Sequence, residues 1–345
     1  NLNGGTLATD REIVRNGSGA GSAGLAYFNF NGGTLKALAN QVDWLRSNVS
    51  FSTANVNQLE LTAVTVQAGG AVIDSNGFNV TINNVFAHDA TIILPATDGG
   101  LKKIGAGTLT LTAANLYNGG TKINGGILSI VSDSNLGATS GRLLIDKDPL
   151  AAQAVLKTTA SFALDPSRPF AVGPGGGTID TDPSTFTLAS LATTAVSISG
   201  PLTVQGGGVF NLDLASTPTL TSLAALSIAG GTTVNAGGTA DPFSSGATHM
   251  AVVNEGIFNI TSGSKQVGAL SGAGSTSLSA STQLTATSVV QNTLTIGAGS
   301  TLTIAAIPGG PLAGMGSISP VPEPSTWAML MLAAIGLGIY RRRSR

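Results

Sequence analysis

A short unit recurs along most of this chain: one or two glycines, then apolar residues at alternate positions. Asn3-Gly4-Gly5-Thr6-Leu7 returns as Asn31-Gly32-Gly33-Thr34-Leu35 and again as Asn124-Gly125-Gly126-Ile127-Leu128. Gly105-Ala106-Gly107-Thr108-Leu109-Thr110-Leu111 has a near copy in Gly297-Ala298-Gly299-Ser300-Thr301-Leu302-Thr303-Ile304. A period of two puts Leu109 and Leu111 on one face and the threonines on the other, as in a half-buried strand. Glycine and asparagine at the unit boundaries admit the positive φ that tight corners need. Gly107 and Gly126 lie nineteen residues apart, while Gly33 to Gly70 and Gly70 to Gly107 are each thirty-seven, close to two such steps. Imperfect repetition at this period predicts a solenoid.

The expected fold is therefore all-β: a right-handed parallel β-helix over residues 1–307, with Leu109, Leu111, Leu128, Leu302 and Ile304 pointing inward. At roughly 20–22 residues per coil this gives about 14 coils. A β-sandwich would need hairpin turns every 8–12 residues or so, and few Asn-Gly turns join paired alternating runs. Stacked corner asparagines (Asn3, Asn31, Asn124) are candidate side-chain ladders. The stretch 131–290 keeps the pattern poorly. Asp133–Gly141, Asp146–Pro149, Asp165–Pro169, Gly173–Gly177 and Asp182–Ser184 read as loops projecting from the rod, and Ala151–Leu156 as a helical turn.

Composition narrows the chemistry. Charged residues are 10% of the chain and there is no cysteine, which excludes a disulfide scaffold, a thiolate metal site and a cysteine nucleophile. The two histidines, His88 and His249, are isolated. Four of the sixteen basic residues fall in the last five positions, leaving twelve against seventeen acidic residues in the body. Such a body has no basic stripe for nucleic acid. The chain begins at Asn1 without a charged-then-apolar leader, so a fragment or a mature product is expected.

The C-terminus has three parts. Residues 308–320 are rich in Pro, Gly and Ser and read as a linker. Val321-Pro322-Glu323-Pro324 follows, then an apolar run from Trp327 to Tyr340, then Arg341-Arg342-Arg343-Ser344-Arg345. The run reads as a single membrane helix, short for a ~30 Å hydrocarbon core but bracketed by interface aromatics. The arginines would hold its end on the cytoplasmic side. Proline removes donors and restrains its neighbour, leaving 321–324 extended.

Two resemblances attach to these residues. Residues 99–130 run Lys103-Ile104-Gly105-Ala106-Gly107-Thr108-Leu109-Thr110-Leu111, then Asn115-Leu116-Tyr117-Asn118-Gly119-Gly120-Thr121-Lys122-Ile123-Asn124-Gly125-Gly126-Ile127-Leu128. This resembles the autotransporter-associated β-strand repeat, K-x-G-x-G-x-L-x-L then N-x-Y-x-G-x-T-x-I-x-x-G-x-L. Residues 1–98 resemble sequence that commonly precedes that repeat. The resemblance implies an exported passenger of β-helical architecture and names no ligand. The closing membrane strands of a true autotransporter are not seen. Residues 321–345 resemble the PEP-CTERM sorting signal. That implies processing near the motif by an exosortase-type membrane enzyme. It also implies an inner-membrane precursor, and delivery to the cell surface or extracellular matrix of a Gram-negative-type bacterium that makes exopolysaccharide, a candidate partner.

Catalytic, cofactor-binding and metal-ligating sites are not expected. Gly19–Gly24 matches G-x-G-x-x-G but is followed by a strand pattern rather than a helix. His88-Asp89 has no activated nucleophile beside it, and His249-Met250 is equally bland. Asp180 and Asp182 would share a strand face and form the best hint of a polysaccharide-cleaving enzyme. Asp146 and Asp148 lack the spacing of a calcium loop. The expected function is a non-enzymatic exported surface or matrix protein. The alternatives are a polysaccharide-degrading β-helix and a glycan-binding adhesin with the same tail.

Overall fold

The computed structural model describes residues 1–16, 25–46, 58–90, 97–305 and 316–318. Short strands stack into a nine-stranded, a twelve-stranded and a seven-stranded sheet, with a three-stranded sheet near the N-terminal end. Neighbours in these sheets are parallel, apart from the terminal pair Thr301–Ile304 with Gly316–Ile318. The chain visits the long sheets in turn. Phe170–Val172, Gly177–Asp180 and Thr185–Ser190 take one place each, and Val196–Ile198, Pro201–Gln205 and Val209–Leu214 repeat the circuit one layer on. The register is residue on residue: Phe170 on Val196, Ile179 on Val204, Phe186 on Phe210. The backbone thus winds in coils, and strand N–H and C=O groups are satisfied by the coils above and below.

The two-residue alternation sets the core. Thr185–Ser190 and Val209–Leu214 bury every second side chain. Register turns this into columns along the axis. Leu35, Ile73, Lys103, Ile123, Ile145, Val172 and Ile198 lie one above the other. A second column carries aromatics: Phe162 and Phe186 meet edge to face at 5.2 Å, and Phe186 and Phe210 stack nearly parallel at 5.8 Å. Leu109, Leu111, Leu128 and Leu302 are buried as expected. Ile304 is only half-buried, because its coil is the last and a single strand covers it.

Coil length is less regular than the sequence suggested. Thr34 pairs with Val72, so thirty-eight residues make one coil and not two. Leu101 pairs with Thr121, twenty residues on, and Ser275 with Thr293, eighteen on. The nine-stranded sheet ends at Thr219–Leu220. Later coils, through Ala251–Asn254, Ser264–Ser271, Gln283–Val289 and Thr301–Ile304, carry strands of the other two long sheets only. A small antiparallel pair, Ser244–Ser245 with Thr248–His249, marks the change.

The middle of the chain is more regular than expected. Its proline- and glycine-rich pieces are corners between consecutive strands: Gly173–Gly176 joins Phe170–Val172 to Gly177–Asp180. Residues expected as a helical turn enter the strand Ala154–Thr158. Polar corners simply hide the two-residue period around them. Among the described residues the helical element is one 3-10 turn, Asp133–Leu136, and no helix is long and apolar enough to cross a membrane. The expected membrane helix, with Trp327 and Tyr340, lies outside the described residues. So do Val321, Pro322, Glu323, Pro324, Arg341, Arg342, Arg343, Arg345 and Gly19–Gly24. Gly316–Ile318 falls inside the expected linker and is a strand.

Candidate functional site

The residues singled out by the repeat pattern come together in two successive coils. Leu101–Ile104 and Thr108–Leu111 belong to the first, Thr121–Ile123 and Gly126–Ile130 to the second. Lys103 faces inward, between Ile73 and Ile123, and is fully buried. Its Nζ donates to the carbonyls of Ile104 (2.8 Å), Gly105 (2.9 Å) and Gly125 (2.9 Å). An ammonium has three donors, so all are used. Burial pulls its pKa down to about 8, against the pull of Asp74. The K-x-G-x-G pattern thus describes a corner folded around its own cation. Gly107 takes φ +82° there, and a Cβ would strike the Phe78 carbonyl of the coil below.

The second half of the pattern does the same work with neutral groups. Asn115 Oδ1 accepts from the Phe86 N–H at 2.9 Å, and its Nδ2 donates to the Asn135 carbonyl at 2.6 Å. Tyr117 is buried, its hydroxyl 2.6 Å from Thr121 Oγ1, which donates to the Leu136 carbonyl. Burial pushes its phenol far above the ordinary value. Asp98 accepts from the N–H groups of Gly100, Asn118 and Gly119 at 2.8–2.9 Å, and lies 3.0 Å from His88 Nδ1. Beyond the pattern, buried Arg168 grips Asp133 through Nε (2.7 Å) and Nη2 (3.0 Å). It also donates to the carbonyls of Gly137, Ala138 and Gly141. Each of these side chains terminates backbone groups that a corner leaves unpaired.

His88 and the other candidate carboxylates are likewise engaged, whereas His249 Nδ1 is buried without a hydrogen-bond partner among the described residues. His88 pairs with Asp98 rather than its neighbour Asp89, which accepts from Gln67 Nε2 at 2.6 Å. His249 lies in the small antiparallel pair beside buried Met250. Asp182 reaches Lys157 at 2.9 Å and donates its N–H to Asp180 Oδ1 at 3.1 Å, while Gln205 donates to Asp180 Oδ2 at 3.3 Å. Asp146 accepts from the Gly175 N–H and lies 3.8 Å from Lys122. Asp148 accepts from the Leu150 N–H. Among the described residues no three His, Asp or Glu side chains are grouped as a metal site.

One feature escaped the sequence reading. On the outer face of the seven-stranded sheet Asn211, Asn235 and Asn259 stack as a carboxamide ladder, Asn259 Nδ2 donating to Asn235 Oδ1 and Asn235 Nδ2 to Asn211 Oδ1, each at 2.8 Å. Thr187 closes one end at 3.1 Å and Ser277 the other at 2.6 Å. Beside it runs a shallow polar groove lined by Asp213, Gly237, Thr261 and Ser262. The constant step of twenty-four residues was the available signal. Of the expected ladder asparagines, Asn31 does reach Asn3 (3.3 Å), but Asn124 donates to the Asp146 carbonyl instead.

Two short segments of the chain match known family models. Residues 101–130 match the passenger-associated-transport-repeat, the two coils built around Lys103 and Tyr117. Residues 320–344 match the PEP-CTERM protein-sorting motif. Over 184 residues the chain is 32% identical to the Adhesin BmaC autotransporter of Brucella suis biovar 1 (strain 1330). That alignment covers 53% of this chain and 4% of the adhesin, so the chain spans a small fraction of its relative. No solved structure matches. The chain is an exported surface protein with a PEP-CTERM sorting signal and autotransporter-adhesin-like repeats, and the motif implies exosortase processing.

Proposed function

We propose that the chain is a non-enzymatic surface or matrix module. In this reading residues 1–307 form a right-handed parallel β-helix, 308–320 connect it, and 321–345 are its sorting address. Trp327–Tyr340 holds the precursor in the inner membrane, Arg341, Arg342, Arg343 and Arg345 stay cytoplasmic, and Val321-Pro322-Glu323-Pro324 is presented to the processing enzyme. The observation that carries the reading is the coupling of a matched sorting motif at 320–344 to a body whose buried ionic groups serve its own corners. The nearly uncharged, amide- and hydroxyl-rich face around Asn211, Asn235 and Asn259 suits contact with a polyhydroxyl polymer such as exopolysaccharide.

The test is localisation and mass of the full chain in its bacterium. Intact protein should reach the surface or matrix having lost Arg341–Arg345, and removal of 320–345 should abolish delivery. Changing Pro322, Glu323 and Pro324 together to Ala should leave full-length protein in the inner membrane. Surface protein that still carries the arginines would reduce the tail to an anchor. A second reading, adhesion, is favoured by the similarity to an autotransporter adhesin. It expects binding to host or abiotic surfaces rather than to the cell's own polymer. Polysaccharide cleavage abolished by Asp180→Asn with Asp182→Asn would overturn both.

A further inference from the structure

Leu150 is 97% exposed, the most exposed large apolar side chain among the described residues. Its exposure is built in. Asp148, Pro149, Leu150 and Ala151 form a turn closed by the Ala151 N–H donating to the Asp148 carbonyl at 2.9 Å. The Leu150 N–H donates to Asp148 Oδ1 at 3.0 Å. Proline restrains φ at the second position and the aspartate locks the third. The leucine therefore stands on a rigid support.

Directly beside it a cavity of about 570 Å³ opens between this turn and the corner that follows Leu101–Ile104. Its walls are mainly apolar, from Ile104, Ala106, Ala151 and Ala152, with Asn124 and Gln153 as polar neighbours. Leu150 stands at its rim and leaves it unfilled. Lys102 and Asp148, both exposed, also line it, and Lys102 has no ion-pair partner among the described residues. One patch thus carries an apolar knob, an apolar socket, a free cation and an anion.

We infer that this patch is a self-complementary interface through which two copies of the chain pair about a two-fold axis, each Leu150 seated in the partner's cavity. A two-fold contact sets the same surface against itself, which requires knob and socket to coexist on one chain. The charges suit such pairing: Lys102 and Asp148 both line the cavity, so the patch carries a cation and an anion that a two-fold contact can set against each other. A rigid turn gives up little conformational freedom on docking. The body's low charge leaves few repulsive contacts to oppose it.

The test uses the detergent-solubilised full chain in sedimentation equilibrium. Wild type should dimerise, and Leu150→Asp should be monomeric with an unchanged circular dichroism spectrum and melting curve. Lys102→Glu alone and Asp148→Lys alone should each weaken the dimer by about tenfold, and the double reversal should restore it. Because the chain has no cysteine, Leu150→Cys with Ala106→Cys should give a disulfide-linked dimer on oxidation, and Ala106→Cys alone should not. A monomeric wild type would overturn the inference. So would a dimer that survives Leu150→Asp, or charge reversals whose combination fails to rescue, which would assign the patch to a different protein.

Discussion

Two coils solve one problem with the same residue and different spacing. In the repeat coil, buried Lys103 binds three carbonyls that lie one, two and twenty-two residues along the chain. Near the C-terminal end, buried Lys265 binds the carbonyls of Gly238 and Ala240, twenty-seven and twenty-five residues back. Burial lowers both lysines' pKa values. Burial also raises the carboxyl of Asp241, which accepts from the N–H groups of Phe243 and Gln266 beside Lys265. The first arrangement is compact enough to leave the signature K-x-G-x-G. The second is spread over a whole coil and interrupted by the pair Ser244–Ser245 with Thr248–His249. A structural device becomes a recognisable motif only when its partners are close in sequence.

Substitutions can break this comparison in order of size. Arg168→Met should cost about 3–5 kcal/mol, because Asp133 and the carbonyls of the 137–141 corner lose their partner together. A loss under about 1 kcal/mol in denaturant unfolding would show that the pair is not buried in solution. Lys103→Met should cost about 3 kcal/mol, roughly one for each carbonyl left unpaired. Lys265→Met, with two carbonyls, should cost about 2 kcal/mol by the same rule. Equal losses would erase the distinction between the coils.

The pH dependence sharpens it. Lys103 binds its proton less tightly when folded (about 8) than its ordinary value of 10.5. Between those values the unfolded chain carries the extra proton, so this group's contribution to stability rises with pH across that window. The cost of Lys103→Met should therefore grow from about pH 8 to pH 10.5. A cost that shrinks would mean that the carbonyls hold the ammonium charged. The smallest effect is expected on the outer ladder. Asn235→Ala breaks two exposed-face bonds and should cost at most about 1 kcal/mol, read as a shift in denaturation midpoint. A larger loss would make the ladder a structural spine.

Much of the fold was legible because its cause is local. Alternation around Leu109, Leu111 and Leu302, with glycine at the corners, leads to stacked strands without knowledge of any partner. Coil length was not legible, since the thirty-eight-residue step from Thr34 to Val72 is fixed by which strands stack. Neither was the engagement of His88: ten residues separate it from Asp98, and the adjacent Asp89 was the natural but wrong partner. Arg168 reads as an unremarked charge between two prolines until the fold sets it against Asp133, thirty-five residues away.

The last strand has a mechanical consequence. Gly316–Ile318 runs against Thr301–Ile304, with Ile318 opposite Leu302 and Gly316 opposite Ile304. Any pull delivered through the chain beyond Ile318 first loads the Leu302–Ile318 pair, then Thr303–Ser317, then Ile304–Gly316. These contacts can open one after another, as in a zipper, before tension reaches the parallel coils. The coils themselves present many hydrogen bonds side by side. The terminal strand is thus a weak link in series with a strong rod, and it would yield first when the protein is tugged from its sorted end.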